Sequence, residues 1–199
     1  MGKGRLEAFS DGVIAILITI MILELKVPDG TDLEAVRPIL APFLTYVLSF
    51  VYLGIYWNNH HHMLQATTRV TGGALWANLH LLFWLSLVPV TTGWMGENHE
   101  EAVPTATYGA VLLFAAIAYT ILQTVLVRER AGSNQVLSQA VGSDLKGKAS
   151  LLLYAVAIPV AFVNTWISIA IYVIVALIWL VPDRRIEHTL AHHSGTRDE

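Results

Sequence analysis

The chain has 199 residues, of which 55% are hydrophobic and only 14% charged, whereas soluble domains carry about 25% charged residues; so few charges cannot cover a soluble monomer, and a chain this rich in Ile, Leu, Val and Trp is not disordered. The absence of cysteine excludes a disulfide scaffold and thiolate metal centres, and a net charge of −3 leaves no basic footprint for nucleic acid. What remains is an integral membrane protein.

Charge-free stretches locate the spans, because a helix needs about 20 mostly apolar residues to cross a bilayer. The first segment is the unusual one. Only twelve uncharged residues separate Asp11 from Glu24, so a crossing helix must run over 6–27 and carry Asp11 inside the cytoplasmic end of the bilayer. A carboxylate against lipid costs a few kcal/mol or more, which places this helix in the interior of an assembly. Ile16, Thr19, Ile20 and Leu23 follow the i, i+3, i+4, i+7 spacing and share one face. Periodicity alone reads that stripe as ordinary core, since every face of the helix is apolar. Met1-Gly-Lys-Gly-Arg5 ahead of an apolar run has the outline of a signal peptide, but Asp11 interrupts the run, and Glu24 and Lys26 occupy the place of a cleavage site.

The following spans are expected over 39–62, 70–95 and 103–127. The uncharged run 149–182 is too long for one span and slightly short for two. Ser143 or Asp144 as a helix cap near Leu145, with a tight turn at Asn164-Thr165, gives spans 145–163 and 165–182. Pro159 either kinks the first of these or bends a single long helix. The basic residues arbitrate: with six spans and both termini cytoplasmic, ten of the twelve Lys and Arg lie inside, leaving only Lys26 and Arg37 outside. Closed barrels are excluded by the lack of apolar/polar alternation. The expected fold is therefore an all-α integral membrane protein of six transmembrane helices, with residues 183–199 as a polar cytoplasmic tail.

Depth also groups the polar residues. His60, His61 and His62 end the second helix on the cytoplasmic side, and Asn78 and His80 fall in the lower half of the third. With Arg5, Ser10 and Asp11 they form one polar layer, whose simplest role is helix–helix glue that sets the first helix's position and tilt. Three consecutive histidines point about 100° apart on a helix and cannot all face one metal. Neither a His-Glu-x-x-His nor a Gly-x-Ser-x-Gly pattern occurs, so nothing supports an enzyme. One reading of this layer is a proton- or metal-coupled transporter using Asp11 and the His60–His62 cluster as a relay; inverted repeats and broken helices, its usual signs, are not evident apart from Pro159. Thr91-Thr-Gly-Trp-Met-Gly96 has one residue too many for a Thr-Val-Gly-Tyr-Gly filter and ends a full-length span, so no filter of that type is expected. Trp57, Trp94, Trp166 and Trp179 read as interfacial anchors.

Arg5-Leu-Glu-Ala-Phe9-Ser10-Asp11, opening the first helix, resembles the Arg-x-x-x-Phe-Ser-Asp signature of the transmembrane protein 175 family of potassium-permeable channels. Trp57-Asn-Asn-His60-His61 resembles the end of that family's second helix, and the run from Asn78 to Pro89 resembles its third. The last three helices match in number and hydrophobicity alone, and with no second repeat the chain looks like the short prokaryotic form, multi-pass in the plasma membrane. The resemblance implies a homotetramer whose axial pore is lined by the first helix, with Ile16, Ile20 and Leu23 at the constriction and a ring of Thr19 hydroxyls. It reverses the reading of the stripe as core. An Ile ring narrow enough to dewet blocks ions, and rotation or tilt that wets it opens the path. Thr19 hydroxyls replace only part of a potassium ion's hydration, so selectivity for potassium over sodium should be modest. Acidic outer loops (Asp29, Asp32, Glu34, Glu97, Glu100, Glu101) enrich monovalent cations at the mouth. No cofactor is expected; the partners are other copies of the chain, the lipid bilayer and the permeant ions.

Overall fold

The computed structural model describes residues 2–65, 67, 70–130 and 145–180, and every regular element among them is helical. In chain order these are α1 (Lys3–Leu23), a 3-10 turn (Glu34–Val36), α2 (Arg37–Gln65), α3 (Gly72–Ser86), α4 (Val88–Glu97), α5 (Ala102–Arg130), α6 (Leu145–Val160) and α7 (Thr165–Leu180). Among the described residues, four stretches are long and apolar enough to cross a membrane: Lys3–Leu23, Glu34–Gln65, Gly72–Glu97 and Ala102–Arg128. Thr165–Leu180 is apolar but shorter. Large apolar side chains cover the outside of the bundle, among them Trp76, Val90, Leu152, Phe162 and Ile167, which lipid accommodates and water does not. The protein is a multi-pass membrane protein. The tail at 183–199, with His188, His192 and His193, and the candidate caps Ser143 and Asp144 lie outside the described residues, as does Arg69.

Local chemistry sets the helix ends. The Thr71 hydroxyl accepts from the Ala74 amide and caps α3. The third crossing, expected as one continuous span, is divided at Leu87. Pro89 supplies no N–H to the Leu85 carbonyl and its ring crowds that carbonyl, so the Leu87 amide turns back to Trp84 and α4 starts afresh. Between α6 and α7 the chain reverses over Ala161–Asn164, and the Asn164 side chain accepts from the amides of Trp166 and Ile167 at the start of α7.

Packing puts α1 on one flank. It lies against α2, α3 and α4, while α3 packs on α5, α5 on α6, and α6 on α7. One apolar core joins Leu6, Ile14, Leu17 and Met21 of α1 to Leu53, Leu81, Leu85 and Leu122. A second is built of tyrosines, with Tyr52, Tyr108, Tyr154 and Tyr172 around Met95 and Val175. Their hydroxyls are satisfied internally: Tyr52 donates to the Tyr172 carbonyl at 2.6 Å, and Tyr172 to the Thr105 carbonyl at 3.1 Å. The backbones of α2 and α4 approach closely where a Cβ on Gly96 would stand 2.9 Å from Pro42 Cα. Only glycine fits that crossing.

Candidate functional site

The outer flank of α1 carries an unbroken exposed seam. Arg5, Phe9, Gly12, Ile16, Thr19 and Leu23 are all exposed, at spacings of four, three, four, three and four, the 3.5-residue repeat of helices packed about a common axis. Ile16 is 57% exposed, Leu23 81% and the adjacent Ile20 40%, whereas Ile14, Leu17 and Met21 on the opposite face are buried. Thr19 donates its hydroxyl proton to the Ala15 and Ile16 carbonyls at 3.1 and 3.0 Å. Its oxygen therefore presents lone pairs outward, which is acceptor chemistry suited to a cation.

The foot of α1 is held in two directions. Toward α2, Lys3, Glu7 and Asp11 are spaced by four and so share a face. They meet Gln65, His61 and Trp57, spaced by four on the antiparallel helix. Lys3 Nζ donates to the Gln65 carbonyl at 2.8 Å, His61 Nδ1 lies 3.1 Å from Glu7 Oε1, and Trp57 Nε1 donates to Asp11 Oδ1 at 3.0 Å. Trp57 and His61 stack, and the far nitrogen of His61 lies 2.8 Å from the Gln65 side-chain amide. Toward α3, Asn78 Nδ2 donates to Ser10 Oγ at 2.9 Å while Asn78 Oδ1 lies 2.7 Å from His60 Nε2, and Ser10 donates to the Leu6 carbonyl. Ser10, His60 and Asn78 are fully buried. Because Nδ2 of Asn78 is the donor to Ser10, its oxygen accepts and His60 carries the proton on Nε2.

Several sequence expectations change at this point. Ser10, Asp11, Trp57, His60, His61 and Asn78 do meet at the foot of α1, but as two separate arrays and not as one layer. Arg5 is exposed and joins neither array; with Phe9 it sits on the outer seam, 100° per residue away from the buried side. His80 is exposed and accepts from Trp84 Nε1, and His62 is exposed beside His61. Trp57 is tied to Asp11, and Trp179 is half-buried and donates to Ser150 at 2.8 Å, so neither serves simply as an interfacial anchor. The segment Thr91–Gly96 is helical, with Thr91 and Thr92 donating back to α4 carbonyls and Thr92 also to Ser49; it offers no carbonyl cage. Lys3, Glu7 and Gln65 were missed, although their fourfold spacing against Asp11, Trp57 and His61 was present in the sequence.

At the other end of α1 a cavity of about 1080 Å³ opens between the linker after Leu23, the start of α2 and the end of α4. Glu24, Asp29, Asp32 and Glu34 line it, with Lys26 paired to Glu97 at 2.7 Å. That pairing raises the Lys26 pKa above its ordinary value, through the hydrogen bond first and the charge second. The wall is acidic overall.

Residues 5–89 match the family model described as "Endosomal/lysosomal potassium channel TMEM175". A protein of Chryseobacterium named as a potassium channel is 55% identical over 96% of this chain and 98% of its own length. A crystal structure described as a lysosomal potassium-selective channel TMEM175 homolog from Chamaesiphon minutus superposes with a TM-score of 0.74 at 28% identity, covering 90% of this chain and 96% of that one. The human relative is named an endosomal/lysosomal proton channel; it is 27% identical over 83% of this chain, which spans 36% of its length.

Proposed function

The chain belongs to the TMEM175 family, whose members are channels and not enzymes, and we propose that it forms a potassium-permeable cation channel in which four copies surround an axis lined by α1. The observation that carries this reading is the exposed seam on α1 opposite a face that is hydrogen-bonded into the protomer. A flank helix whose outward face carries Arg5 and the Thr19 hydroxyl needs cover other than lipid, and cyclic copies of itself supply it. The 3.5-residue repeat suits four such helices running nearly parallel.

In that arrangement the rings of Ile16, Ile20 and Leu23 span about 10 Å along the axis at 1.5 Å per residue. Rings of this kind dewet when narrow and close the path; a small tilt of α1 wets them. Between them, four Thr19 oxygens with outward lone pairs face a dehydrating cation. Hydroxyls are fewer and weaker than a carbonyl cage, so preference for potassium over sodium is modest. The acidic outer cavity concentrates cations at the entrance. In the full topology α6 and α7 each add a crossing, giving six per subunit with both termini cytoplasmic, in agreement with the distribution of Lys and Arg.

The test is current across planar bilayers holding the purified protein. A channel gives a reversal potential that follows the potassium gradient with no proton gradient imposed. Flux that requires a proton gradient, or a chain that remains monomeric in mild detergent, overturns the proposal. The relatives named proton channels make proton current the second reading, separable in the same bilayers by varying pH at fixed potassium.

A further inference from the structure

We propose that Glu7 and Asp11 of α1 and His61 of α2 form a binding site for a divalent transition-metal ion, of the zinc or cobalt class, that clips the two helices together at their cytoplasmic ends. One ligand atom from each residue lies within 4.8 Å of the others. Two carboxylates and one imidazole are a donor set suited to such ions, with water completing the coordination. The imidazole disfavours calcium and magnesium, which take oxygen ligands.

Two details point to a ligand and not merely to an ion pair. His61 Nδ1 is sealed from solvent and makes no aligned hydrogen bond, although Glu7 Oε1 is only 3.1 Å away. An ion seated among the three residues would give that nitrogen the aligned partner it lacks. The second detail is the outer support. Trp57 Nε1 holds Asp11 by Oδ1 and leaves Oδ2 available; the Gln65 side chain holds His61 by Nε2 and leaves Nδ1 available. Gln65 Nε2 can only donate, so His61 Nε2 accepts and Nδ1 carries the ring proton, which a metal ion bound at Nδ1 displaces. Fixing a ligand through its far atom is how proteins orient metal-binding histidines and carboxylates. Closing the three atoms onto bonds of about 2.0–2.2 Å takes movement of about 1 Å in three partly exposed side chains. The site stands whether or not the protein conducts potassium.

The experiment uses the full chain, purified without a polyhistidine tag, stripped with chelator and titrated with Zn2+ in detergent. One ion per chain is expected to bind, with Glu7→Gln and His61→Gln each weakening binding tenfold or more. His62→Gln and the triple variant His188→Gln/His192→Gln/His193→Gln should bind as the parent does. X-ray absorption of the zinc-loaded parent chain should show a single imidazole nitrogen with oxygen ligands, a readout independent of any variant's folding. Undiminished binding by Glu7→Gln and His61→Gln, no binding by the parent, or a spectrum of two or more imidazoles would each overturn the proposal.

Discussion

Asn78→Ala removes the link between α1 and α2 through α3, and the structure sets the size of the effect. Asn78 serves two buried partners, His60 Nε2 at 2.7 Å and Ser10 Oγ at 2.9 Å. Ser10 keeps its bond to the Leu6 carbonyl, so its loss is the smaller one. His60 is fully buried and its Nδ1 already has no partner, so the variant strands a second ring nitrogen. An unsatisfied buried donor costs about 1–3 kcal/mol, whereas a membrane interhelical hydrogen bond is worth about 0.6 kcal/mol on average. Together these give about 2–3 kcal/mol for Asn78→Ala and about 1 kcal/mol for Ser10→Ala. Because the two residues share a bond, the double variant should fall short of the sum by about 0.6 kcal/mol or more. Reversible unfolding in mixed SDS and mild-detergent micelles, read by tryptophan fluorescence, measures all four corners of the cycle. Additivity within about 0.3 kcal/mol would show that Ser10 and Asn78 do not act together, and the assignment of this contact as the α1 anchor would fail.

Ile16→Asn should hydrate the constriction and raise single-channel conductance; unchanged current would place the narrowest point elsewhere. Thr19→Val should move the potassium-to-sodium permeability ratio toward one, measured from reversal potentials under bi-ionic conditions, and an unaltered ratio removes Thr19 from selectivity. Asp11→Ala removes the acceptor of the exposed Trp57 indole N–H and should cost about 0.6 kcal/mol, with Asp11→Asn retaining most of that stability in the same unfolding assay. Gly96→Ala forces a methyl to within 2.9 Å of Pro42 Cα and should cost about 1–3 kcal/mol by separating α2 from α4; a neutral result would mean that this crossing can relax.

The crossing helices were legible because lipid imposes a coarse rule, about 20 uncharged residues per span, and Asp11 marked α1 as exceptional by breaking it. The Phe9-Ser10-Asp11 motif showed that α1 mattered, while the direction in which each residue points required the neighbours. Ser10 and Asp11 are adjacent, so helical geometry sends them to different partners, α3 and α2. Depth alone could not separate those two arrays and merged them into one layer. Arg5 was misplaced for the same reason, since its depth is right and its azimuth is not. Glu7 was passed over because a charged residue near a terminus is usually solvated; pairing its i+4 spacing with that of Trp57, His61 and Gln65 would have found it. The break at Leu87 was available from Pro89, and a long apolar run concealed it.

The fastening of α1 is unequal along its length. Below Asp11 it is gripped by directional bonds to α2 and α3; above, Ile14, Leu17 and Met21 lie in apolar contact, which has no preferred direction and permits sliding. A rod clamped at one end swings most at the other. Leu23 stands about 18 Å beyond Asp11 and Ile16 about 7.5 Å, so a pivot of about 10° carries Leu23 about 3 Å sideways and Ile16 little more than 1 Å. In the proposed tetramer four such rods would part like petals, the outermost ring widening most and the innermost one deciding when water finally connects the two sides.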